Sequence, residues 1–357
     1  MKYYFIIASL LLTLPLVAQT KVVQKNAVKA NDFGITYSLP RTTLAIHAEF
    51  TKVTCKAGPY YQYAEKYLNI KDVNTDDHVY YEFGKVTIQN KGVPNPDKTY
   101  IVSFKQGTSA PYCMLTEDGL LCTINAPYEA AVDTSSNTSA KDSSKAMANI
   151  NKSSVLPEEL LMAGSTTKQA EVAAKQIYHI RESRLNILTG DADNLPPDGK
   201  AMELVIQQLQ AQEAALTELF TGTTTREQFS SDFTVVPDSD LNNDILFRFS
   251  KRLGIVAADD LGGTPVYLNL KATEKAPTLD PKEAEKKEKS LKGIIYNVPG
   301  KANVTITMDG KVLYAAEIQI TQFGSQEGLA PVMFEDKKAP VKVYFYPETG
   351  ALKQIIQ

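Results

Sequence analysis

The sequence predicts an α+β fold in which two β-rich, mainly antiparallel units are separated by a central antiparallel helical hairpin. Apolar residues recur every three or four positions within residues 157–222, which is the spacing of one buried helix face. The segments on both sides instead alternate apolar and polar residues in short runs that Gly and Pro interrupt, as β-strands do. The chain has 357 residues, of which 43% are hydrophobic, so it is long enough for two or three domains.

Residues 1–18 have the features of a secretory signal peptide. Lys2 supplies a positive charge, residues 5–17 form an uncharged apolar run, and Ala18 suits a cleavage site. The run is short for a bilayer-spanning helix, so an N-terminal anchor is the weaker alternative. We expect the mature protein to be exported to the periplasm or cell envelope, with no transmembrane segment after signal cleavage.

Residues 32–127 are predicted to form an N-terminal β-rich unit with one short helix. A strand over residues 34–40 ends at its proline, and an alternating strand follows over residues 42–53. Pro59 suits the first position of the short helix. Further strands are expected at residues 79–89 and 99–105 and in a hairpin over residues 113–122.

Residues 157–222 are predicted to be the helical hairpin. They follow residues 128–156, which contain almost no large apolar side chain and are expected to be a linker. The first helix begins near Thr166 with a capping box and ends before Gly190. The second helix ends before Gly222 in a similar way, and the short connection predicts that the two helices are antiparallel.

Two arginines and one glutamate lie on the helix faces that carry the apolar stripes. Arg181 and Arg184 fall within the stripe of the first helix, and Glu213 falls within that of the second. A buried charge without a partner is costly, so we predict that Arg181 or Arg184 bonds a carboxylate, with Glu213 the first candidate. The favoured interpretation is a structural ion pair that fixes helix register. The alternative is a cleft in which the arginines hold an anionic ligand.

The chain after the helices is again predicted to be β-structure. A β segment over residues 223–271 and a C-terminal β unit over residues 293–357 flank a charged linker over residues 272–292. The linker is rich in Lys and Glu and contains two prolines, which indicates a solvated segment that is at most briefly helical. Strands are expected at residues 228–236, 244–252, 266–271, 293–298, 302–308, 311–321, 332–334 and 341–346.

Two strand openings share a sequence pattern. Residues 34–40 and residues 293–299 both follow Gly-Ile-x-Tyr-x-(Leu/Val)-Pro, and an alternating strand comes after each. The openings either begin related β-units or match by chance among many strand starts. Repeat architectures normally show more than two copies, so both interpretations stay open.

The chain has three cysteines, Cys55, Cys113 and Cys122. An exported protein meets an oxidising compartment, which permits a disulfide. Cys113 and Cys122 flank a turn signal and could face each other across a hairpin. The alternative is two unpaired and partly buried thiols, and the sequence does not decide between them.

No sequence motif assigns a reaction to the chain. It has no HExxH, P-loop, GxSxG or GxGxxG motif, and its three histidines lack metal-ligand spacing. We therefore predict no catalytic residue, no metal and no cofactor. The net charge is -3 and the Lys-rich run is matched by Glu, so we expect no binding to nucleic acid.

These observations favour an exported cell-envelope protein that acts as a non-enzymatic binding or scaffold module for an unknown envelope partner or ligand. The alternative is a hydrolase that acts on an envelope polymer or glycan. A glycosidase needs two opposed carboxylates, and the sequence does not distinguish such a pair among its 41 acidic residues. A concave cleft that gathers two or more carboxylates would favour the hydrolase.

Several short motifs carry a resemblance to a known family. They are the opening over residues 34–40, Arg181-Glu182-Ser183-Arg184, Leu219-Phe220-Thr221-Gly222, Phe247-Arg248-Phe249-Ser250 and Gln322-Phe323-Gly324. Together they resemble an uncharacterised family of exported proteins from Bacteroidetes-type bacteria, a domain of unknown function (DUF4831-like). The resemblance covers nearly the whole mature chain and implies an envelope location. It implies no activity, substrate or site residue.

Overall fold

The computed structural model of the chain describes residues 21–24, 34–103, 113–128, 158–191, 199–334 and 341–357. The signal peptide predicted over residues 1–18, nearly all of the linker predicted over residues 128–156, and the connection between the two central helices lie outside these ranges. The described residues form an α+β fold with two β-sheets and a group of helices.

The first sheet has four strands in the order β1-β3-β2-β6, and neighbouring strands are antiparallel. Its strands are β1 (Lys21–Gln24), β2 (Gly34–Lys56), β3 (His78–Ser103) and β6 (Thr223–Val235). The long hairpin of β2 and β3 forms its centre. Alternate residues of β2 are buried, which explains the apolar–polar alternation of the sequence.

The two longest strands of this sheet are continuous where the sequence predicts separate strands. Pro40 does not end a strand, because it lies in β2 beside an interruption of the ladder. Ser38 pairs with Thr99 and Pro40 with Pro94, so residues 95–98 of β3 stand opposite a single residue of β2. A proline has no backbone N–H to give to a ladder, and a bulge is one of the few places in a sheet that accept it.

The second sheet has nine strands. They are β4 (Cys113–Leu115), β5 (Leu121–Ile124), β7 (Leu241–Ser250), β8 (Gly254–Val256), β9 (Thr264–Glu274), β10 (Ile294–Met308), β11 (Lys311–Leu329), β12 (Lys342–Tyr346) and β13 (Ala351–Ile356). Eight of them follow the order β4-β5-β12-β13-β10-β9-β7-β8, and β11 pairs with β10. Their pairings are antiparallel except for a short parallel contact between β10 and β13.

The strand order of the sheets does not follow the order of the sequence units. Strands β4 and β5 come from the N-terminal unit, yet β5 pairs with β12 near the end of the chain. Strand β6 follows the helices, yet it pairs with β2 in the first sheet. The two sheets are therefore tied together by exchanged strands.

Two apolar clusters fill the space between the sheets. One cluster joins Leu44 and Ile46 of β2 to Phe247, Leu268 and Val304 of the second sheet. The other joins the start of β2 and the end of β3 to β5, β10 and β12. Burial of so many aliphatic and aromatic side chains is the main stabilising contribution to this arrangement.

The helices form a third cluster beside the first sheet. They are α1 (Ala64–Leu68), α2 (Glu158–Met162), α3 (Thr166–Thr189) and α4 (Gly199–Thr221). Ser165 caps α3 by accepting a bond from the Lys168 backbone N–H, so the cap lies one residue before the predicted Thr166. Gly190 has φ 83° and ends the helix in the left-handed conformation that the sequence predicts.

The end of α4 lies directly against the segment that follows β2. Gly58 makes this approach possible, because a Cβ atom there would lie 2.4 Å from the Leu219 carbonyl oxygen. The same oxygen accepts a bond of 2.8 Å from the Tyr60 backbone N–H. Tyr60 and Phe220 are buried together, with ring centroids 5.6 Å apart. The helical group is thus held to the first sheet by backbone and aromatic contacts.

The charged linker contains α5 (Pro281–Ser290), a short helix with no buried residue, which agrees with a solvated segment that is briefly helical. Two other segments near the C-terminus differ from the sequence prediction. The strand expected at residues 332–334 is instead a 3-10 turn over Pro331–Phe334. Strand β13 lacks a clear apolar–polar alternation and was not expected; its pairing with β12 stabilises it.

The hydroxyl group of Tyr37 links the two sheets. It donates to the Ile295 carbonyl oxygen at 3.1 Å and accepts from the Ile295 N–H at 2.9 Å. We expect Tyr37→Phe to lower the free energy of unfolding by about 1–3 kcal/mol, because it leaves two buried backbone groups without a partner. Urea unfolding measures the change.

Tyr100→Phe is the matched control for this experiment. Tyr100 packs against Tyr37 with ring centroids 5.7 Å apart, but its buried hydroxyl has no hydrogen-bond partner among the described residues. Its loss should leave the free energy of unfolding unchanged or raise it. Equal losses in the two variants would contradict the proposed role of the Tyr37 hydroxyl.

Candidate functional site

A cleft of about 390 Å³ lies where the two long hairpins are interrupted. In the hairpin of β2 and β3 the interruption is residues 95–98. In the hairpin of β10 and β11, Val298 pairs with Ser325 and Gly300 with Ile320, so residues 321–324 are the extra ones. Residues of both interruptions line the cleft, so an irregularity of the sheets creates it.

The floor of the cleft is a reciprocal pair of threonines. The Thr42 N–H donates to the Thr321 hydroxyl at 2.9 Å, and the Thr321 N–H donates to the Thr42 hydroxyl at 3.0 Å. Gln322 adds two bonds, since its side-chain oxygen accepts from the Thr42 N–H and its amide group donates to the Thr42 carbonyl oxygen. Thr42 is fully buried. This network holds the two hairpins in a fixed relation.

Asn297 satisfies the backbone on the other side of the floor. It is buried, and its side-chain amide donates to the carbonyl oxygens of Pro40 at 3.0 Å and Thr349 at 2.9 Å. Buried carbonyl groups that have no strand partner, beside a bulge at Pro40 and in the turn between β12 and β13 at Thr349, need such partners. The cleft therefore has a rigid and fully bonded base.

The walls of the cleft are polar and aliphatic. The basic side chains that line it are Arg41, Lys98 and Lys287, and the lining carboxylate is Glu288. Lys98 Nζ lies 2.7 Å from Glu288 Oε1, and Arg41 bonds Asp238. Side-chain amides and leucines complete the walls, and none of the described residues that line the cleft is aromatic.

Helix α5 covers one side of this cleft. Its approach is tied to β11 by a bond of 2.8 Å from the Ala276 N–H to the Phe323 carbonyl oxygen. Along α5, Glu288 is the residue that is not fully exposed. The ion pair with Lys98 therefore fastens a solvated helix across the opening.

A second cleft of about 710 Å³ lies at another place on the sheets. Tyr80, Tyr81 and Phe249 line it together with the loop that contains Leu261. Glu82 and Asp309 also line this cleft, and Glu82 is bonded to Arg226. The two clefts thus differ in chemistry, since aromatic rings dominate this one and amides with basic groups dominate the first.

The structure brings together the three charged residues singled out on the helices. Arg181 Nε lies 2.6 Å from Glu213 Oε1, and Arg184 Nη1 lies 2.6 Å from Glu213 Oε2. The Glu213 side chain is 15% exposed, while those of Arg181 and Arg184 are 39% and 28% exposed. Each arginine takes one carboxylate oxygen, and none of the three residues lines either cleft described above. The arrangement is that of a contact between α3 and α4.

The two cysteines of the β4–β5 hairpin are not opposite each other. The register pairs Cys113 with Ile124, and a bulge follows at Leu115, so Cys122 has no directly facing cysteine. No disulfide joins cysteines in the described parts of the chain. Burial raises the pKa of both the Cys113 and the Cys122 thiol to about 11, which keeps them protonated near neutral pH.

The residues that build the first cleft were not singled out from the sequence. Lys98 and Glu288 are 190 positions apart, and Thr42 and Thr321 are 279 positions apart. Two sequence signals did point to this region, namely the shared pattern at residues 34–40 and 293–299 and the motif Gln322-Phe323-Gly324. Neither signal indicates by itself that these segments meet.

Glu213→Ala tests the contact between the helices. It should lower the free energy of unfolding by about 1–3 kcal/mol, because two half-shielded guanidinium groups lose their bonded carboxylate. Glu171→Ala is the control, since Glu171 also contacts two cations, Lys168 and Lys175, but on the solvated face of α3. A surface pair of that kind contributes little to stability. Thermal or urea unfolding measures both changes. A loss of unfolding free energy in Glu213→Ala that is no larger than the loss in Glu171→Ala would contradict this account.

Among the helices that the structure describes, none combines the length and apolar character needed to cross a membrane. Within the same residues, no group of three or more His, Cys, Asp and Glu side chains could hold a metal ion.

Comparisons with known proteins place the chain in a family. No curated protein and no solved structure shows significant similarity to the chain. A family model does match residues 33–353, and the chain therefore belongs to the family described as Domain of unknown function (DUF4831), which confirms the family resemblance.

Proposed function

We propose that this protein is an exported cell-envelope protein that acts as a non-enzymatic binding module and takes its ligand in the first cleft. The observation that carries the proposal is the construction of that cleft. Its floor is locked by the threonine pair, and its walls present amides and basic groups to an open space of about 390 Å³. A preformed concave site with a few convergent polar groups is the usual form of a ligand-binding site.

Export is proposed from the N-terminal sequence. Residues 1–18 have the charge, apolar run and small residue of a cleavable signal peptide. The periplasm or the cell envelope is then the proposed location, and a Bacteroidetes-type bacterium is the proposed source. An envelope polymer or an envelope protein is the proposed partner.

The helices suit a scaffold role beside this site. We infer that α3 and α4 form an antiparallel hairpin, because Arg181 and Arg184, toward the end of α3, both bond Glu213 of α4. Buried Leu216 and Phe220, further along α4, share a cluster with Ala170 and Ala173 near the start of α3. The paired sheets and the helical group beside the first sheet would give the protein separate surfaces for a ligand and for a partner.

A hydrolase is the alternative. The second cleft favours it, because Glu82 and Asp309 both line that cleft, but the first cleft supports it less. Glycoside hydrolysis needs two carboxyl groups that flank the scissile bond. The lining of the first cleft supplies Glu288, and this carboxylate is bonded to Lys98. The proposal therefore assigns binding rather than bond cleavage to the cleft.

Expression of the full chain in a Gram-negative host tests export. We expect a periplasmic protein whose N-terminus is Gln19, as read by mass spectrometry. Leu11→Arg interrupts the apolar run and should retain the uncleaved chain in the cytoplasm. An uncleaved wild-type chain in the cytoplasm would contradict the predicted leader.

Co-sedimentation with envelope material tests binding. The exported chain should sediment with isolated envelopes of a bacterium that carries the family and should release no soluble sugars or peptides from them. Ser325→Trp fills the cleft and should abolish sedimentation, whereas Ser230→Trp changes an exposed residue of β6 and should not. Release of soluble products would instead support the hydrolase, and wild-type chain that stays in the supernatant would refute envelope binding.

A further inference from the structure

We propose that the first cleft binds a peptide that bears a carboxylate, and that Glu288 occupies the place of that carboxylate when the ligand is absent. This inference rests on the proposed binding function and names its ligand class. It makes α5 a cover that the ligand displaces.

The bond between Lys98 and Glu288 has the properties of a replaceable contact. Its atoms lie 2.7 Å apart, and the two side chains are 31% and 38% exposed. An ion pair with this exposure contributes little net stability, because water and salt screen it. A carboxylate from outside the chain could therefore replace Glu288 on Lys98 at small cost.

Helix α5 makes few buried contacts of its own over the cleft. It buries no residue, and its sequence alternates Lys and Glu in the manner of a solvated helix. A helix that belonged permanently to the core would carry an apolar stripe toward it. The chain is held before α5 by the bond from Ala276 to Phe323 and after α5 by the packing of Leu291, and the ion pair with Lys98 adds a replaceable contact between these two anchors.

Tyr100 is a buried hydroxyl donor close to Lys98 and Glu288, next to the cleft rather than in its lining. The two residues are two positions apart on β3 and therefore share one face of the strand. The Tyr100 hydroxyl is buried without a hydrogen-bond partner among the described residues. Burial, and to a lesser extent the negative charge of Glu288, raises the pKa of Tyr100 to about 12, so the hydroxyl stays protonated and can donate to a carboxylate.

The walls favour a peptide over a glycan. Gln326 offers an amide group that can donate and accept, and the Asn95 amide can donate, which matches the backbone of a peptide, while Leu291 offers an aliphatic surface. Sugar rings usually stack on aromatic faces, and the described lining of this cleft is not aromatic. Lysine binds carboxylates and phosphates alike, so the binding experiment includes inorganic phosphate as a competing ligand.

Fluorescence anisotropy with labelled peptides tests the proposal. One probe is an acetylated Ala-Leu-Glu peptide with free carboxylates, and the other is its Gln amide counterpart without negative charge. Glu288→Gln should bind the acidic peptide about threefold more tightly than wild type, because a weak internal competitor is removed. Lys98→Met should weaken binding by more than about tenfold, because a charge-assisted bond is lost.

The control uses an ion pair of the same geometry outside the cleft lining. Lys301 Nζ lies 2.8 Å from Glu274 Oε1, so Lys301→Met and Glu274→Gln remove the same charges elsewhere. Both variants should bind the acidic peptide as wild type does. Equal affinity for the acidic and amide peptides, or equal effects of Glu288→Gln and Glu274→Gln, would overturn the proposal.

Limited proteolysis gives a second measurement that needs no Lys98 variant. Trypsin cleaves after the lysines of α5, and both the acidic peptide and Glu288→Gln should speed cleavage within residues 282–289. Unchanged cleavage in both cases would overturn the cover role of α5. Stronger binding of inorganic phosphate or of an oligosaccharide than of the acidic peptide would overturn the assignment of a peptide. If envelope sedimentation persists in either case, the ligand assignment fails while the binding function stands.

Discussion

The structure depends on how two interrupted hairpins satisfy their backbone. Beside the interruptions of the β2–β3 and β10–β11 ladders, backbone groups of Pro40, Thr42 and Thr321 bond side chains instead of a neighbouring strand. Buried peptide groups without partners would cost more free energy than the sheets could offset. The solution is to bond one hairpin to the other, through the threonine pair of Thr42 and Thr321 and through Asn297. Tyr37 adds two further hydrogen bonds between the hairpins, inside the apolar core, by bonding the backbone of Ile295.

These bonds between the two hairpins explain why a cleft lies beside the interruptions and why the cleft can bind its ligand specifically. The extra residues of each interruption move away from the sheet plane, which opens space between the hairpins. The bonds below that space prevent it from closing when side chains at the rim move. Lys98 stands on one of the extra segments and faces α5 across the opening. A rigid base with a charged and exposed rim allows the rim to change partner while the fold stays intact.

The sequence predicted the local features well and the distant contacts poorly. Helices α3 and α4 were predicted because helical periodicity, caps and the charges at Arg181, Arg184 and Glu213 are all encoded within short windows. The partner of a strand cannot be predicted in this way, because apolar–polar alternation indicates that a segment is a strand but does not indicate which strand it pairs with. Nothing local shows that β5 pairs with β12 or that β6 returns to β2. The cleft was missed for the same reason, because Lys98 and Glu288 meet only through the fold.

The strand arrangement favours the repeat that the two matching openings suggested. Strand β2 is followed by its hairpin partner β3 and pairs antiparallel with β6 on its other edge. Strand β10 is followed by β11 and pairs antiparallel with β9 on its other edge, although β9 precedes its hairpin in sequence and β6 follows its own. In each hairpin the partner strand carries four extra residues opposite the shared pattern, at Leu39 in the first and one pattern position later, at Pro299, in the second. A chance match of a short pattern gives no reason for similar partners and similar interruptions. The residues that build the cleft nevertheless differ between the two hairpins. Thr42 corresponds in the pattern to Lys301, which bonds Glu274 instead. The shared architecture therefore accounts for the place of the cleft, and the differences between its two halves account for its chemistry.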